Sequence, residues 1–360
     1  MCALAPVGLG TLMVADAKDE QQTFAAAPQD LGDSIPGLTS AEEDMFLRGR
    51  RLFRWELWRP DPGVKAFNEN ECSLCHREPY FGGSNPDKTS YAPFVKDPSS
   101  PAGWKPNPRR QRTTGRFQIV APPEGAVLRR APSLFGIGLL EGVPQDQLLK
   151  RADPADSNKD GISGRPFMVG ERIGRFGWKS TIPSVEAFTI DAFKNELGMS
   201  ISSFDREDFG GGLGMSQIKA VTHFLKTLGP PPRSAQSKEG KTLFEKVQCG
   251  SCHTPSLQTG TNSIAALSKK TFEAYTDLLL HEMGDGKLHG NSSEVSDTEF
   301  RTAPLWGIGK FTGPYMHDGS AKSLEEAILK HGGEAAASRD KFKALSAKDQ
   351  KTLVSYVQGL

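Results

Sequence analysis

Two Cys-x-x-Cys-His motifs, Cys72-Ser73-Leu74-Cys75-His76 and Cys249-Gly250-Ser251-Cys252-His253, take up every cysteine of the chain except Cys2. Two thiols one turn apart can form thioethers to the vinyl groups of a haem, and the adjacent imidazole then reaches the iron as its proximal ligand. Zinc would need both pairs in one all-thiolate site, but Cys249 follows Cys72 by 177 residues and such a site has no use for a following histidine. A dithiol redox site leaves the histidine unexplained twice. The residues therefore predict two covalently bound haem c groups, the first held by Cys72, Cys75 and His76 and the second by Cys249, Cys252 and His253.

What each iron does depends on its sixth ligand. The other histidines are His223, His281, His289, His317 and His331, and none lies between His76 and His223. His223 sits on a segment expected to close the first module rather than to cover its iron, so the first haem is expected to have an exchangeable or empty sixth position. Met168 and Lys179 are the alternative ligands. An open iron can bind peroxide or dioxygen, whereas a six-coordinate iron mostly moves electrons. For the second haem the choice falls on His331, which follows a helix opened by the capping serine Ser323; His281, Met283 and Met316 are rivals, and a helix-ending cap is the alternative role for His331. His317, beside Asp318, then becomes a pocket or inter-module residue.

These groups need helices to hold them. Before each motif runs a segment with apolar residues at helical spacing, Glu42 to Trp58 and Lys238 to Val247. After each comes a shared phrase, Arg130-Ala131-Pro132-Ser133-Leu134-Phe135-Gly136-Ile137-Gly138 and Arg301-Thr302-Ala303-Pro304-Leu305-Trp306-Gly307-Ile308-Gly309. Ser216 to Thr227 and Ala347 to Leu360 read as closing helices. The expected fold is mainly α: two cytochrome c-like haem modules in tandem, with long loops and little β. The modules span 38–228 and 236–360, and their boundary falls in Leu228-Gly229-Pro230-Pro231-Pro232-Arg233-Ser234, which cannot continue a helix. The 38 glycines and 25 prolines fit a loop-rich chain wrapped around cofactors.

A net charge of +1 gives no electrostatic footprint for nucleic acid. Residues 1–30 read as a leader-like tail: Ala3 to Val14 are mostly apolar and end in Ala15-Asp16-Ala17, like a signal-peptidase site, although no basic residues precede them. No other segment has the ~18 consecutive apolar residues of a membrane span. Covalent haem attachment requires export, so the periplasm is the expected compartment.

Several phrases together resemble the di-haem c-type oxidoreductase family, which includes peroxidase-like proteins and those sometimes labelled thiol oxidoreductases. They are Phe67-Asn68-Glu69-Asn70, Gly138-Leu139-Leu140-Glu141, Asp160-Gly161-Ile162-Ser163-Gly164-Arg165, Gly174-Arg175-Phe176-Gly177-Trp178-Lys179, Leu278-Leu279-Leu280-His281-Glu282-Met283-Gly284, Tyr315-Met316-His317-Asp318-Gly319 and His331-Gly332-Gly333-Glu334-Ala335. The resemblance covers residues 40 to 360 and is more distant to bacterial di-haem cytochrome c peroxidases. It implies one haem for electron transfer and one for peroxide chemistry, with a small redox protein or cytochrome as electron partner and peroxide or another small oxidant as substrate. In those relatives the position after the Leu-Glu-Glu helix supplies methionine or tyrosine, so His331 there implies a bis-histidine haem of low potential.

Peroxide cleavage needs a distal acid/base. Glu141 is the candidate, in a Gly-bounded apolar loop expected to match the His317-Asp318 loop of the second module. Gln118 and Arg130 are candidates to polarise a bound oxygen or, for the arginine, to hold a haem propionate. Trp178 is placed to relay electrons between haems or to pack on a porphyrin. Asp156, Asn158 and Asp160 with Gly161 have the opening spacing of a calcium loop, but the twelfth position is Phe167; an Asx-rich turn explains the same residues without a Ca2+ ion. The rival functions are an electron carrier with both irons six-coordinate and a haem-dependent oxygenase, which a large apolar channel at the first haem would favour.

Overall fold

The computed structural model describes residues 30–54, 66–69, 71–84, 92–96, 104–106, 110–113, 116–119, 127–199, 214–284 and 294–360. The leader-like residues 1–29 and His289 lie outside this set, as do the last four residues, 55–58, of the helix expected to reach Trp58. Among the described residues the helices are α1 (Ser40–Phe53), α2 (Ile137–Glu141), α3 (Gln145–Leu149), α4 (Val185–Asn195), α5 (Met215–Thr227), α6 (Lys238–Lys246), α7 (Leu324–Leu329), α8 (Ala336–Lys343) and α9 (Ala347–Gln358). Strands form only small antiparallel sheets of two or three members, so the fold is mainly α.

Local sequence sets the ends of these helices. Thr39 and Glu42 close a reciprocal capping box on α1, while Ser237, Ser323 and Ser346 cap α6, α7 and α9 through their side chains. Apolar residues at helical spacing then bury one face of each: Phe46 and Phe53 of α1 stack against Phe224 of α5, with ring centres 5.2 Å apart in both pairs. In the other half Phe244 of α6 meets Tyr356 of α9 at 5.6 Å.

The repeated phrase folds the same way twice. Gly136 and Gly307 both adopt a left-handed conformation, at φ 70° and 66°. Two residues later Gly138 lies so close to the Lys226 carbonyl of α5, and Gly309 to the Gln358 carbonyl of α9, that a Cβ on either would come within 1.9 Å of the oxygen. Each half thus lays one turn across its own closing helix. The proline-rich segment between the halves is packed, with Pro230 against Gly136 and Pro231 against Gly307. A third apolar cluster draws from both sides of it, joining Leu139, Leu148 and Ile173 to Leu257, Phe272 and Trp306.

Candidate functional site

The first Cys-x-x-Cys-His motif opens a short turn, Cys72–Leu74, from which the His76 amide bonds back to the Cys72 carbonyl at 3.1 Å. His76 Nδ1 lies 3.0 Å from the Gly83 carbonyl, so it carries the proton and leaves the Nε2 lone pair available. Burial pushes its pKa down to about 4, which keeps the ring neutral and fit to bind a metal. Phe53 sits beside it at 6.3 Å, which places His76 on the α1–α5 side of a cavity of about 1300 Å³, mouth included. α4 lines the same cavity, with Val185, Phe188, Thr189, Ala192 and Phe193 at helical spacing. The far end of α4 is tied to the approach of the motif, because the Glu196 carbonyl accepts from Asn68 N at 2.8 Å and Glu69 N at 3.1 Å.

The second motif is built alike. His253 Nδ1 is 3.0 Å from the Tyr275 carbonyl, and burial, with the neighbouring His331, pushes its pKa down to about 4. His331 Nδ1 lies 2.8 Å from the Ala327 carbonyl at the end of α7, and burial lowers its pKa as well. Both imidazoles therefore present Nε2 to a cavity of about 1840 Å³, mouth included, with ring centres 6.4 Å apart. Given a metal–imidazole bond of about 2 Å and roughly 1 Å from nitrogen to ring centre, two rings trans on one metal stand a little over 6 Å apart. The observed separation leaves room for one metal between the two rings.

Comparing the halves locates the residue that makes them differ. Phe176 bridges Ile182, and Tyr315 bridges Ala321. Eight residues after each aromatic comes a capping serine, Ser184 or Ser323, whose side chain accepts from the amide three residues on. Eight further along stand Ala192 in the first half and His331 in the second. By the same register Trp178 corresponds to His317. These two meet edge to face at 6.3 Å in a wall shared by both cavities, where Trp178 Nε1 donates to the Arg130 carbonyl at 2.9 Å and the Arg130 amide to the His317 carbonyl at 2.7 Å. Arg130 and Arg301 line both cavities too.

The sequence matches the family described as "Di-haem oxidoreductase, putative peroxidase" over residues 125–230 and 217–360. The chain belongs to the di-haem oxidoreductase family. A stretch of 67 residues is 40% identical to the cytochrome-c peroxidase IdrP1 of Denitromonas iodatirespirans, covering 17% of this chain and only 18% of that protein. Among solved structures, a MauG-like protein associated with microbial copper homeostasis is similar at 18% identity and TM-score 0.48, covering 93% of this chain and 95% of the other. The diheme peroxidase BthA of Burkholderia thailandensis is similar at 14% and 0.37, over 93% and 89%. Hydrazine synthase of Kuenenia stuttgartiensis is similar at 14% and 0.45, over 99% and 100%.

Family membership implies haem cofactors, and the residues present fit two of them. The four motif cysteines are unbridged, and each cavity has a neutral histidine presenting Nε2. Several remaining candidates are otherwise engaged. Lys179 is not a ligand: its ammonium donates to the carbonyls of Ser296, Asp297 and Glu299 and lies 3.8 Å from the centre of the Phe300 ring, which stacks on His317. Met168 points outward, 44% exposed. His223 Nε2 meets the Glu42 carbonyl at 2.9 Å and clamps α5 to α1. Met283 and Met316 line the second cavity, but the ring facing His253 is His331.

His281 is unavailable to iron because both its nitrogens meet carboxylates, Asp277 at 2.9 Å and Glu334 at 2.8 Å. Burial works against its charge, but Asp277, Cys252 and Glu334 push its pKa up to about 12. Glu334 also accepts from Ser163, and Arg165 pairs with Glu299, so the Gly161–Arg165 phrase is drawn to the edge of the second cavity.

The loop matching His317-Asp318 is Trp178-Lys179. Glu141 is placed apart from the residues that line the first cavity. Its carboxylate accepts from the Val185 amide at 3.0 Å, capping α4, and pairs with Lys226 at 2.9 Å. Gln118 lies in the strand Arg116–Ile119, opposite Gln111, and its side chain lies outside the described set. In the 156–160 loop the Asp156 carboxylate accepts from the Asp160 and Gly161 amides and the Asn158 carbonyl from Asp160, so an Asx-rich turn accounts for these oxygens. Sequence reasoning missed Ala192 and Arg175; Arg175 lies inside a quoted phrase, but its burial is a property of the fold.

Proposed function

We propose that the chain is a di-haem peroxidase in which two cytochrome c-like modules, 38–228 and 236–360, divide the work. Haem c is held covalently by Cys72 and Cys75 in the first and by Cys249 and Cys252 in the second, with His76 and His253 as proximal ligands. His331 completes the second set, and Ala192 leaves the first cavity open. The observation that carries this reading is the 6.4 Å separation of the His253 and His331 rings, against an alanine methyl at the corresponding place. When bound, a haem with an open face supplies electron transfer to small oxygen ligands, and a bis-histidine haem supplies electron relay.

The chain's own residues do the rest. Carbonyls of Gly83, Tyr275 and Ala327 fix the tautomers of the three ligand histidines. The apolar face of α4 limits water in the first cavity. Trp178 fills the shared wall and shortens the path along which electrons pass from the second site to the first. Arg130 and Arg301 in that wall face the carboxylates that each haem would bring. Each peroxide takes up two electrons and two protons and leaves as two waters, the electrons coming from a small redox protein in the periplasm.

A second reading, a haem-dependent oxygenase, is favoured by one observation: among the described residues lining the first cavity there is no carboxylate and no histidine besides His76. The test is a pair of measurements on the holoprotein. The reduced form is expected to bind one carbon monoxide per chain and the enzyme to consume peroxide with a reduced cytochrome as donor. Two equivalents, or none, would overturn the division of labour; dioxygen uptake without peroxide consumption would select the oxygenase.

A further inference from the structure

With Glu141 turned away, the first cavity lacks a carboxylate, but it does not lack a charge. Arg175 lines it and is 5% exposed. Its Nη1 is pinned by the carbonyls of Leu140 at 3.0 Å, Glu141 at 2.9 Å and Val143 at 2.7 Å, where α2 ends. Its Nε, although buried, has no hydrogen-bond partner. No carboxylate touches the guanidinium among the described residues, since Glu141 is spent on Lys226 and Val185. Burial pushes its pKa down to about 10, so it stays charged at neutral pH. A buried cation is costly unless it is paired and hydrogen-bonded, and one donor of this one, Nε, is unspent.

Its place says which acceptor. The three carbonyls belong to the turn after α2, and the neighbouring Glu141 caps Val185, the first residue of α4. Arg175 lies in the segment that leads into α4, as Pro314 lies in the segment that leads into α7 and on to His331, the ring near His253; His76 comes from another part of the chain, beside Phe53 of α1. The repeated arginines Arg130 and Arg301 occupy equivalent places in the two halves and suit a need the halves share, such as a haem propionate. Arg175 has no such counterpart, because the same register places Pro314 opposite it.

We propose that Arg175 is the cationic hydrogen-bond donor that holds the anionic or acceptor end of a small oxygen ligand on the open side of the first cavity. The proposal rests on that cavity being the open one. A guanidinium fixed by three carbonyls needs no reorganisation to receive such a ligand, and that pre-organisation is what makes electrostatic stabilisation effective.

Fluoride and carbon monoxide separate the possibilities on the di-haem protein, because fluoride is held by donors and carbon monoxide, being neutral, is not. Arg175→Leu is expected to weaken fluoride binding to the oxidised protein by about tenfold to a hundredfold, the usual worth of a charged hydrogen bond. Carbon monoxide should stay at one per chain. Arg175→Lys, which keeps a charge but not the fork, should fall in between, and it decides the matter if the leucine variant does not accumulate with both haems. Unchanged fluoride affinity in either variant overturns the proposal, and if it comes with reduced occupancy of the first haem, Arg175 is a propionate clamp instead. A wild-type protein that binds neither probe would mean that the first cavity is not open, a failure of the parent reading distinguishable from failure of the role of Arg175.

Discussion

The α4 and α7 segments begin alike and end differently. Each follows an aromatic bridge residue by eight positions and opens on a capping serine, and each lines a cavity that also holds the histidine of a Cys-x-x-Cys-His motif. α7 ends at Leu329 and delivers His331 toward His253; α4 continues to Asn195 and passes the same place with Ala192. On the proposed reading, one scaffold closes one metal site and leaves the other free through a single side chain. The neighbours differ too: the second site gathers a charged cluster around His281, and the first gathers apolar side chains and, besides the shared Arg130 and Arg301, a buried arginine of its own, Arg175.

Replacing either side chain by its counterpart should erase the contrast, and this is the largest effect expected. His331→Ala should turn the second haem high-spin and raise carbon monoxide binding from one to two per chain, while Ala192→His should abolish binding at the first. Electron paramagnetic resonance with a gas titration checks both. If His331→Ala leaves the low-spin signal intact, the ligand is Met283 or Met316.

A smaller effect should separate the sites by pH. His281 is held protonated, so its contribution is complete below its unfolded pKa near 6.5 and fades as pH rises from there toward about 12. Glu334, drawn down to about 2 by His281 and Ser163 against the effect of burial, contributes fully above about 4.5 and loses that contribution as pH falls toward 2. Thermal unfolding should therefore show the largest gap between wild type and His281→Asn between about pH 4.5 and 6.5, narrowing on both sides. A gap independent of pH would mean that the cluster carries no net linkage.

The smallest effect belongs to Glu141. As a cap on α4 and partner of Lys226, its replacement by alanine should cost about 1 kcal/mol of stability, seen as a lower unfolding temperature. Glu141→Gln should leave peroxide consumption near the wild-type rate. A fall of ~10²-fold or more in the glutamine variant would restore the proton-shuttle role that its sequence context suggests.

Much of this was legible before any coordinates. The Cys-x-x-Cys-His motifs, the repeated phrase and the helices at Lys238, Met215 and Ala347 carry strong local signals, and the observed ends differ from the expected ones by a residue or two. That His331 comes near His253 was legible because histidines are few. Ala192 was not, because an alanine at a helical position looks like any other; the clue was the shared spacing from Phe176 to Ser184 and from Tyr315 to Ser323, which survives with almost no identity. The surroundings of Glu141 were not legible, because matching its loop to His317-Asp318 relied on order along the chain, while the bridges Phe176–Ile182 and Tyr315–Ala321 set Trp178 against His317. The buried Nε of Arg175 depends on which carbonyls surround it, and that is set by contacts distant in sequence.

The contrast between the two sites is tested most directly by electron paramagnetic resonance of the oxidised wild-type holoprotein. The prediction is one high-spin and one low-spin haem in equal amounts, with His331→Ala removing only the low-spin signal. Two low-spin haems in the wild type would contradict it and make the protein an electron carrier.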